Sequence, residues 1–304
     1  MFNTVRTIII TFTAVSASLL GACWSYETMA HGRWIVPSHT ILSAEEAEFV
    51  TFDLSISNEL FYPDWAIGGV PIENIGSQEK IERELPPPLR PVLASSKLVV
   101  HKPDGTTQSD YTLVDLRRKT VTMAELVQNG SYHIEYTQNP IYLTWYSHAD
   151  GSPGRFFGTL SQVQKLLPEG AKDIRQTILI NRIETWITRN NLTRKNLKPQ
   201  GKGLELAFDT HPNELFVGEK MKFTVMFDGK PLKKPLSLHF IQNGTRYRDD
   251  RNVIDVSTNN GKAVVTWQKP GLYLLETEYE KPSTEKGIES ETHALYATFE
   301  VFPE

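Results

Sequence analysis

The chain has 304 residues, with 32 Lys and Arg, 36 Asp and Glu, and a formal net charge of −4 at pH 7. This charge and a pI near 6.1 argue against nucleic acid as a partner, because proteins that bind phosphate backbones carry a basic excess. The chain contains one cysteine, Cys23, so the sequence after it excludes disulfides, thiolate metal sites and a cysteine nucleophile.

The first 30 residues have the three parts of a secretory signal peptide. Arg6 supplies the early charge, residues 8–22 are an apolar run, and Thr28-Met29-Ala30 is a small-residue cleavage site. The run is shorter than the ~20 residues that span a bilayer, although an uncleaved anchor is an alternative, and no later segment is apolar enough to span. Export without disulfides favours a bacterial periplasm. We therefore predict a signal peptide over 1–30 and a periplasmic protein.

A second processing site competes with the first. Residues 20–23 (LGAC) match a bacterial lipobox, in which Cys23 becomes a lipid-modified N-terminus. Cleavage after Ala30 leaves His31 as the first residue, whereas cleavage before Cys23 leaves His31 inside a tether with a possible lipid anchor. The sequence leaves both alternatives open.

Alternation of apolar and polar residues predicts short strands through the first half of the chain. These strands are predicted at 48–57, 96–101, 120–123, 131–136 and 141–146. The chain after these strands differs. It contains a loop rich in Gly, Pro and Ser at 148–157 and a short helix over 159–167 with Ser161 as its cap. One long strand, or two strands with a bulge, is predicted over 174–190, and a basic linker follows at 190–203.

The last hundred residues predict seven short strands at sandwich-like spacing. They are predicted at 204–208, 220–227, 236–242, 253–257, 263–267, 272–279 and 294–302. We therefore predict an all-β protein with two immunoglobulin-like or transthyretin-like β-sandwich domains, at 31–150 and 203–304, joined by the segment 151–202.

A search for catalytic patterns gives none. The sequence has no Gly-rich phosphate loop, no H-E-x-x-H and no G-x-S-x-G elbow. The acidic pairs Glu45-Glu46 and Asp249-Asp250 are adjacent, so on a strand their carboxylates point to opposite faces. We predict that the protein is not an enzyme.

His31 is the strongest candidate metal ligand. A first-residue histidine chelates through its α-amino group and Nδ1, and one more imidazole makes a three-nitrogen site suited to copper or nickel. The candidates for that further imidazole are His39, His133 and His148. The alternative for each is a structural or exposed histidine.

Two further segments could bind a ligand or partner. The aromatic loop 58–69 contains Tyr62 and Trp65, and the polar hairpin 243–249 contains Arg246 and Arg248. The alternative for the aromatic loop is a cap on the end of a sandwich, and the alternative for the hairpin is an exposed turn.

Six stretches together resemble one large bacterial family of exported proteins of unknown function. They are HGRWIVPS at 31–38, SNELFY at 57–62, GKGLEL at 201–206, HPNELFVGE at 211–219, GTRYRD at 244–249 and YATFEV at 296–301. Members are often labelled as periplasmic components of nickel or cobalt uptake. The resemblance implies an accessory protein that binds or delivers nickel or cobalt beside a membrane metal transporter. His31 is the one residue of this chain that the resemblance offers as a possible metal ligand. The alternative is a metal-free envelope adaptor that acts with an outer- or inner-membrane transporter.

Overall fold

The computed structural model describes residues 32–76, 85–247 and 252–304. The predicted leader, Cys23, His31 and Arg248 lie outside these ranges. The described residues form an all-β fold with two short α-helices, α1 (Arg90–Ala94) and α2 (Leu160–Val163). Within the described ranges, no helix is long and apolar enough to cross a membrane.

Eleven strands precede the long central strand. They are β1 (Gly32–Pro37), β2 (Ile41–Leu42), β3 (Glu48–Ser57), β4 (Val70–Pro71), β5 (Lys97–His101), β6 (Thr107–Gln108), β7 (Val114–Asp115), β8 (Thr120–Leu126), β9 (Gly130–Thr137), β10 (Ile141–Ser147) and β11 (Pro153–Phe157).

The central strand and those that follow it complete the fold. They are β12 (Lys172–Arg189), β13 (Leu204–Phe208), β14 (Lys220–Phe227), β15 (Lys230–Pro231), β16 (Ser237–Gln242), β17 (Val253–Ser257), β18 (Lys262–Thr266), β19 (Gly271–Pro282) and β20 (Ser290–Val301).

These strands build three sheets in the described part of the chain. One has the order β1-β3-β8-β7-β4, and another has β13-β14-β15 with β18 also paired to β14. The largest has the order β17-β16-β19-β20-β12-β9-β5-β6, with β10 and β2 paired to β12 and β11 paired to β10. The predicted sandwich architecture is therefore present, and the largest sheet runs through both halves of the chain.

The strand β12 connects the two halves directly. It pairs in parallel with β20 along one edge, and antiparallel with β10 and then β9 along the other. The sequence predicts this long strand inside a connecting segment, and the structure places it at the centre of the largest sheet. The division into domains at 31–150 and 203–304 stays a prediction.

Two local predictions were wrong. The segment 148–157, predicted as a loop because of its Gly and Pro residues, contains the edge strand β11, where Pro153 is the first residue. The helix α2 is capped by Thr159 and not by Ser161, because Thr159 and Gln162 form a reciprocal capping box.

The main core lies between the largest sheet and the four-stranded sheet. Alternate residues of β14, including Phe223 and Val225, point into it from the four-stranded sheet, and they meet Phe240, Trp186 and Phe299 from the largest sheet. On the other face of the largest sheet lies β1, which contacts β12 and β20. One face of the largest sheet is therefore covered by the four-stranded sheet, and β1 lies on the other face.

We expect the core position Val265 to be far more sensitive than its neighbour Val264, because alternate residues of β18 face opposite ways. Val265 is 1% exposed and Val264 is 48% exposed. Val265→Ala should lower the free energy of unfolding by about 1.5–3 kcal/mol, and Val264→Ala by less than about 1 kcal/mol. Urea unfolding of both variants measures the difference, and equal losses would contradict the assigned faces.

Candidate functional site

Imidazole and charged side chains are buried together where β5, β9, β12 and β13 meet. His133 and Trp186 are register partners, and the His133 ring stacks between Trp186 and His101, at centroid separations of 5.3 and 5.0 Å. Nε2 of His133 lies 2.8 Å from a carboxylate oxygen of Glu184. The name Arg182 cluster is used below for His101, His133, Glu135, Arg182, Glu184 and Glu205.

Arg182 holds this cluster together. Its guanidinium lies 3.2 Å from the carboxylates of both Glu135 and Glu205. Burial lowers the pKa of Arg182, but the carboxylates of Glu184, Glu135 and Glu205 together raise it. Burial also raises the pKa of Glu135, but the hydrogen bond to His101 and the charge of Arg182 outweigh burial and hold that pKa at about 2.

Glu205 completes the cluster through backbone groups. Its carboxylate accepts hydrogen bonds from the N–H groups of Gln200, Gly201 and Lys202 at 2.7, 2.8 and 2.9 Å. A small pocket that is open to solvent lies beside it, lined by His133, Glu184 and Lys198 among others. Because the charges are paired with one another, the arrangement fastens β9, β12 and β13 together and offers no activated nucleophile.

His133 lies on the face of the largest sheet away from β1, and its role as a partner of His31 stays a prediction. His133 shares a sheet face with Trp186, which stacks on Phe299. The strand β1, which follows His31, lies on the opposite face, where Nη1 of Arg33 donates to the Tyr296 hydroxyl at 3.1 Å. The largest sheet therefore separates His133 from the start of β1.

His39 and His148 are also remote from the start of β1. His39 is exposed and lies beyond the far end of this strand, which is about 17 Å along the extended chain from Gly32. His148 packs against Tyr146 near the register pair Ser147–Lys172. Lys172 lies about 35 Å along β12 from Ile183, the register partner of Tyr296. Neither histidine therefore lies beside Gly32, and their role as partners of His31 stays a prediction.

The strand β19 lies beside the start of β1. A Cβ placed on Gly32 would be 2.8 Å from Oε1 of Glu276. Glu276 is the register partner of His239, which is in turn the partner of Asp255. Nδ1 of His239 lies 2.6 Å from the carboxylate of Asp255. These three residues lie far apart in the sequence and become neighbours through strand pairing.

Two of the predicted ligand or partner residues also meet. The Arg246 guanidinium carbon lies 5.0 Å from the centroid of the Tyr62 ring. Trp65, in the same aromatic loop as Tyr62, is 59% exposed, and Phe61 of this loop makes an edge contact with Trp34 of β1. The loop and the hairpin therefore form one surface, which we call the Tyr62 surface. Arg248 lies outside the described residues.

Within the described ranges, no three His, Cys, Asp or Glu side chains form a group that could hold a metal ion. At the start of β1, Glu276 lies next to Gly32, and His239 is the register partner of Glu276. The residues there suit such a metal chemically, because a carboxylate and an imidazole are both ligands of divalent transition metals.

We expect the Arg182 cluster to lose its stabilising effect in acid. Because the pKa of Glu135 is about 2 in the folded protein and near 4.5 ordinarily, its contribution is present above pH 4.5 and is lost as the pH falls towards 2. Glu135→Gln should remove on the order of 3 kcal/mol of this pH-dependent stability. Chemical unfolding from pH 7 to pH 2 measures it, with the exposed Glu125→Gln as the control. An unchanged pH dependence in Glu135→Gln would contradict this assignment.

Comparison with solved structures gives only weak likenesses. A DUF4785 family protein from Legionella pneumophila shares 10% identity at a TM-score of 0.22, and covers 80% of this chain and 50% of its own. The Yersinia pseudotuberculosis adhesin InvE shares 11% identity at a TM-score of 0.20, over 89% of this chain and 58% of its own. A Salmonella alpha-2-macroglobulin mutant shares 12% identity at a TM-score of 0.20, over 90% of this chain and 15% of its own.

This chain spans between about a seventh and three fifths of the length of those three structures. None of the curated proteins compared with the chain matches it. A family model matches residues 28–281, which is most of the chain. The chain belongs to the family described as domain of unknown function DUF4198.

Proposed function

We propose that this protein is a periplasmic accessory of transition-metal uptake, which binds or delivers nickel or cobalt through His31 beside a membrane metal transporter. The observation that carries the proposal is the position of Gly32, at the start of β1 and next to the carboxylate of Glu276. The label that members of the resembled family often carry agrees with this role. The role is one of binding and not of catalysis.

The strand β1 makes the terminus a suitable place for a metal. All six of its residues are in register with β3, from Gly32 opposite Ser57 to Pro37 opposite Phe52. Trp34 is 2% exposed and Ile35 is 0% exposed, so the strand is fixed by its core contacts as well. A ligand that directly precedes a fixed residue loses less conformational freedom on binding than one on a free tail.

The proposal depends on how the leader is processed. Cleavage after Ala30 gives His31 a free α-amino group, which can chelate together with Nδ1 of the ring. Cleavage before Cys23 would turn that amine into a peptide nitrogen and would anchor the protein through lipid. Mass spectrometry of the mature N-terminus distinguishes the two products.

We expect the correctly processed protein to bind Ni²⁺ or Co²⁺, and His31→Ala to lose this binding, because the substitution removes the ring nitrogen and with it the chelate. Isothermal titration calorimetry with each metal salt measures both proteins. His148→Ala is the matched control, since this histidine lies far from the start of β1 and should leave binding unchanged. Absence of binding in the wild type, or equal binding in His31→Ala, would contradict the proposal.

A second candidate function is a metal-free envelope adaptor, and the Tyr62 surface is the observation that favours it. Tyr62 and Arg246 lie in contact and Trp65 is 59% exposed, and aromatic and arginine side chains are the residues that dominate binding surfaces. In this role the surface would contact an outer- or inner-membrane transporter.

For the adaptor role, we expect Trp65→Ala to reduce capture of a membrane transporter from solubilised envelopes, because the substitution removes a large exposed anchor. Phe49→Ala is the matched control, because Phe49 is also 59% exposed but lies on β3. Quantitative pull-down of all three proteins makes the comparison. Capture that is the same with wild type and Trp65→Ala would count against the adaptor.

A further inference from the structure

Three lysines stand on the outer face of the four-stranded sheet. Lys220 and Lys222 are alternate residues of β14, and Lys262 is the first residue of the neighbouring strand β18. All three residues are exposed. The residues that alternate with them point into the core, as Met221 and Ala263 do at 0% and 4% exposure. The lysines therefore share the side of the sheet that faces solvent.

The centre of this surface is Val264, which is 48% exposed. Lys222 lies directly opposite Val264 in the register of β14 and β18, and Lys220 lies diagonal to it. Lys262 is two residues before Val264 on β18. Directly opposite residues have β-carbons about 5 Å apart, and diagonal or alternate neighbours are about 7 Å apart. Three cations thus surround one aliphatic side chain, and we call these four residues the lysine face.

The charges of the lysine face are not neutralised by ion pairs. Within the described ranges, none of the three ammonium groups lies in an ion pair with a carboxylate. Asp209 brings one carboxylate close, since its N–H donates to the carbonyl oxygen of Lys222 at 3.0 Å. Glu219 precedes Lys220 and, because side chains alternate along a strand, points to the other face. The lysine face is therefore positive, although the chain has a formal net charge of −4.

The residue types on this face favour a membrane surface as the partner. The centres of protein interfaces are enriched in aromatic residues and arginine and depleted in lysine, and surfaces that bind single-stranded nucleic acids use aromatic residues to stack on bases. The lysine face contains neither type. The lysine ammonium is a compact, strongly hydrated charge, so it is attracted to a layer of anionic headgroups without having to be buried.

We propose that the lysine face docks this protein on the surface of a bilayer that contains anionic phospholipids. The ligand is the layer of phosphate headgroups, and the attraction is electrostatic, with Val264 facing the headgroups between the three cations. A basic residue close to an anionic bilayer strengthens binding by about fivefold. This docking goes beyond the proposed function and needs none of the residues discussed as metal ligands.

Co-sedimentation of the mature protein with large unilamellar vesicles tests the docking. We expect wild type to bind vesicles made of equal parts phosphatidylglycerol and phosphatidylcholine, and not vesicles of phosphatidylcholine alone. Binding should fall steeply between 0.1 M and 1 M salt, because the screening length shortens from about 10 Å to about 3 Å over that range. A lipid anchor would give binding that depends on neither the headgroup nor the salt, so the two causes of sedimentation are distinguishable.

Charge variants locate the binding surface. Lys222→Gln and Lys262→Gln should each weaken binding to the anionic vesicles by about fivefold, and the triple variant with Lys220→Gln by about 100-fold. Lys222→Arg keeps the charge and should bind within twofold of wild type. Lys165→Gln is the matched control, because Lys165 is exposed but lies after α2, outside the four-stranded sheet. The thermal unfolding midpoint of each variant shows that it is folded.

Three results would overturn the inference. The first is equal binding of wild type to anionic and zwitterionic vesicles, or no binding to either. The second is a triple variant that binds the anionic vesicles as tightly as wild type does. The third is binding of soluble polyglutamate without binding of vesicles, which would assign the lysine face to an acidic protein. Binding of Ni²⁺ should be the same in wild type and in the triple variant, so the docking and the metal role succeed or fail separately.

Discussion

The fold depends on the hydrogen bonding of β12 to strands from both halves of the chain. Its parallel pairing with β20 and antiparallel pairing with β9 place its residues at the centre of an eleven-stranded sheet. A strand in that position is covered on both faces, which is why Ile183, Trp186 and Ile187 are all buried although they do not share one face. The Arg182 cluster lies on one face of this sheet, and the strand β1 lies on the other.

The Arg182 cluster gives the face of Trp186 a network of paired charges. Each charge of the cluster has a partner, and such a network specifies one packing of the strands. Buried polar atoms without a hydrogen-bond partner among the described residues occur on both sides of the sheet, in Asn181 on the β1 face and in Trp267 in the core on the Trp186 side. The paired charges of the Arg182 cluster therefore have a structural role.

The sequence predicted most strands because alternation is a local property, as in 48–57 and 220–227. It did not predict β11, because Pro153 and Gly154 obscure the pattern. The partners of the candidate site could not be predicted either. Glu276 and His239 become neighbours only when β19 pairs with β16, and Gly32 reaches them from the other end of the chain. Long-range pairing has no local signal, so the sequence could not show that His39 and His148 lie away from the start of β1.

The proposed metal role would depend on maturation more than on folding. The strand β1 is fixed by its register with β3 and by the buried side chains of Trp34 and Ile35. A free α-amino group at His31 would exist only if cleavage falls after Ala30, and it would close a six-membered chelate ring with Nδ1 of the same residue. Cleavage before Cys23 would replace that amine with a peptide nitrogen, so proteolytic maturation, and not folding, would decide the affinity for metal.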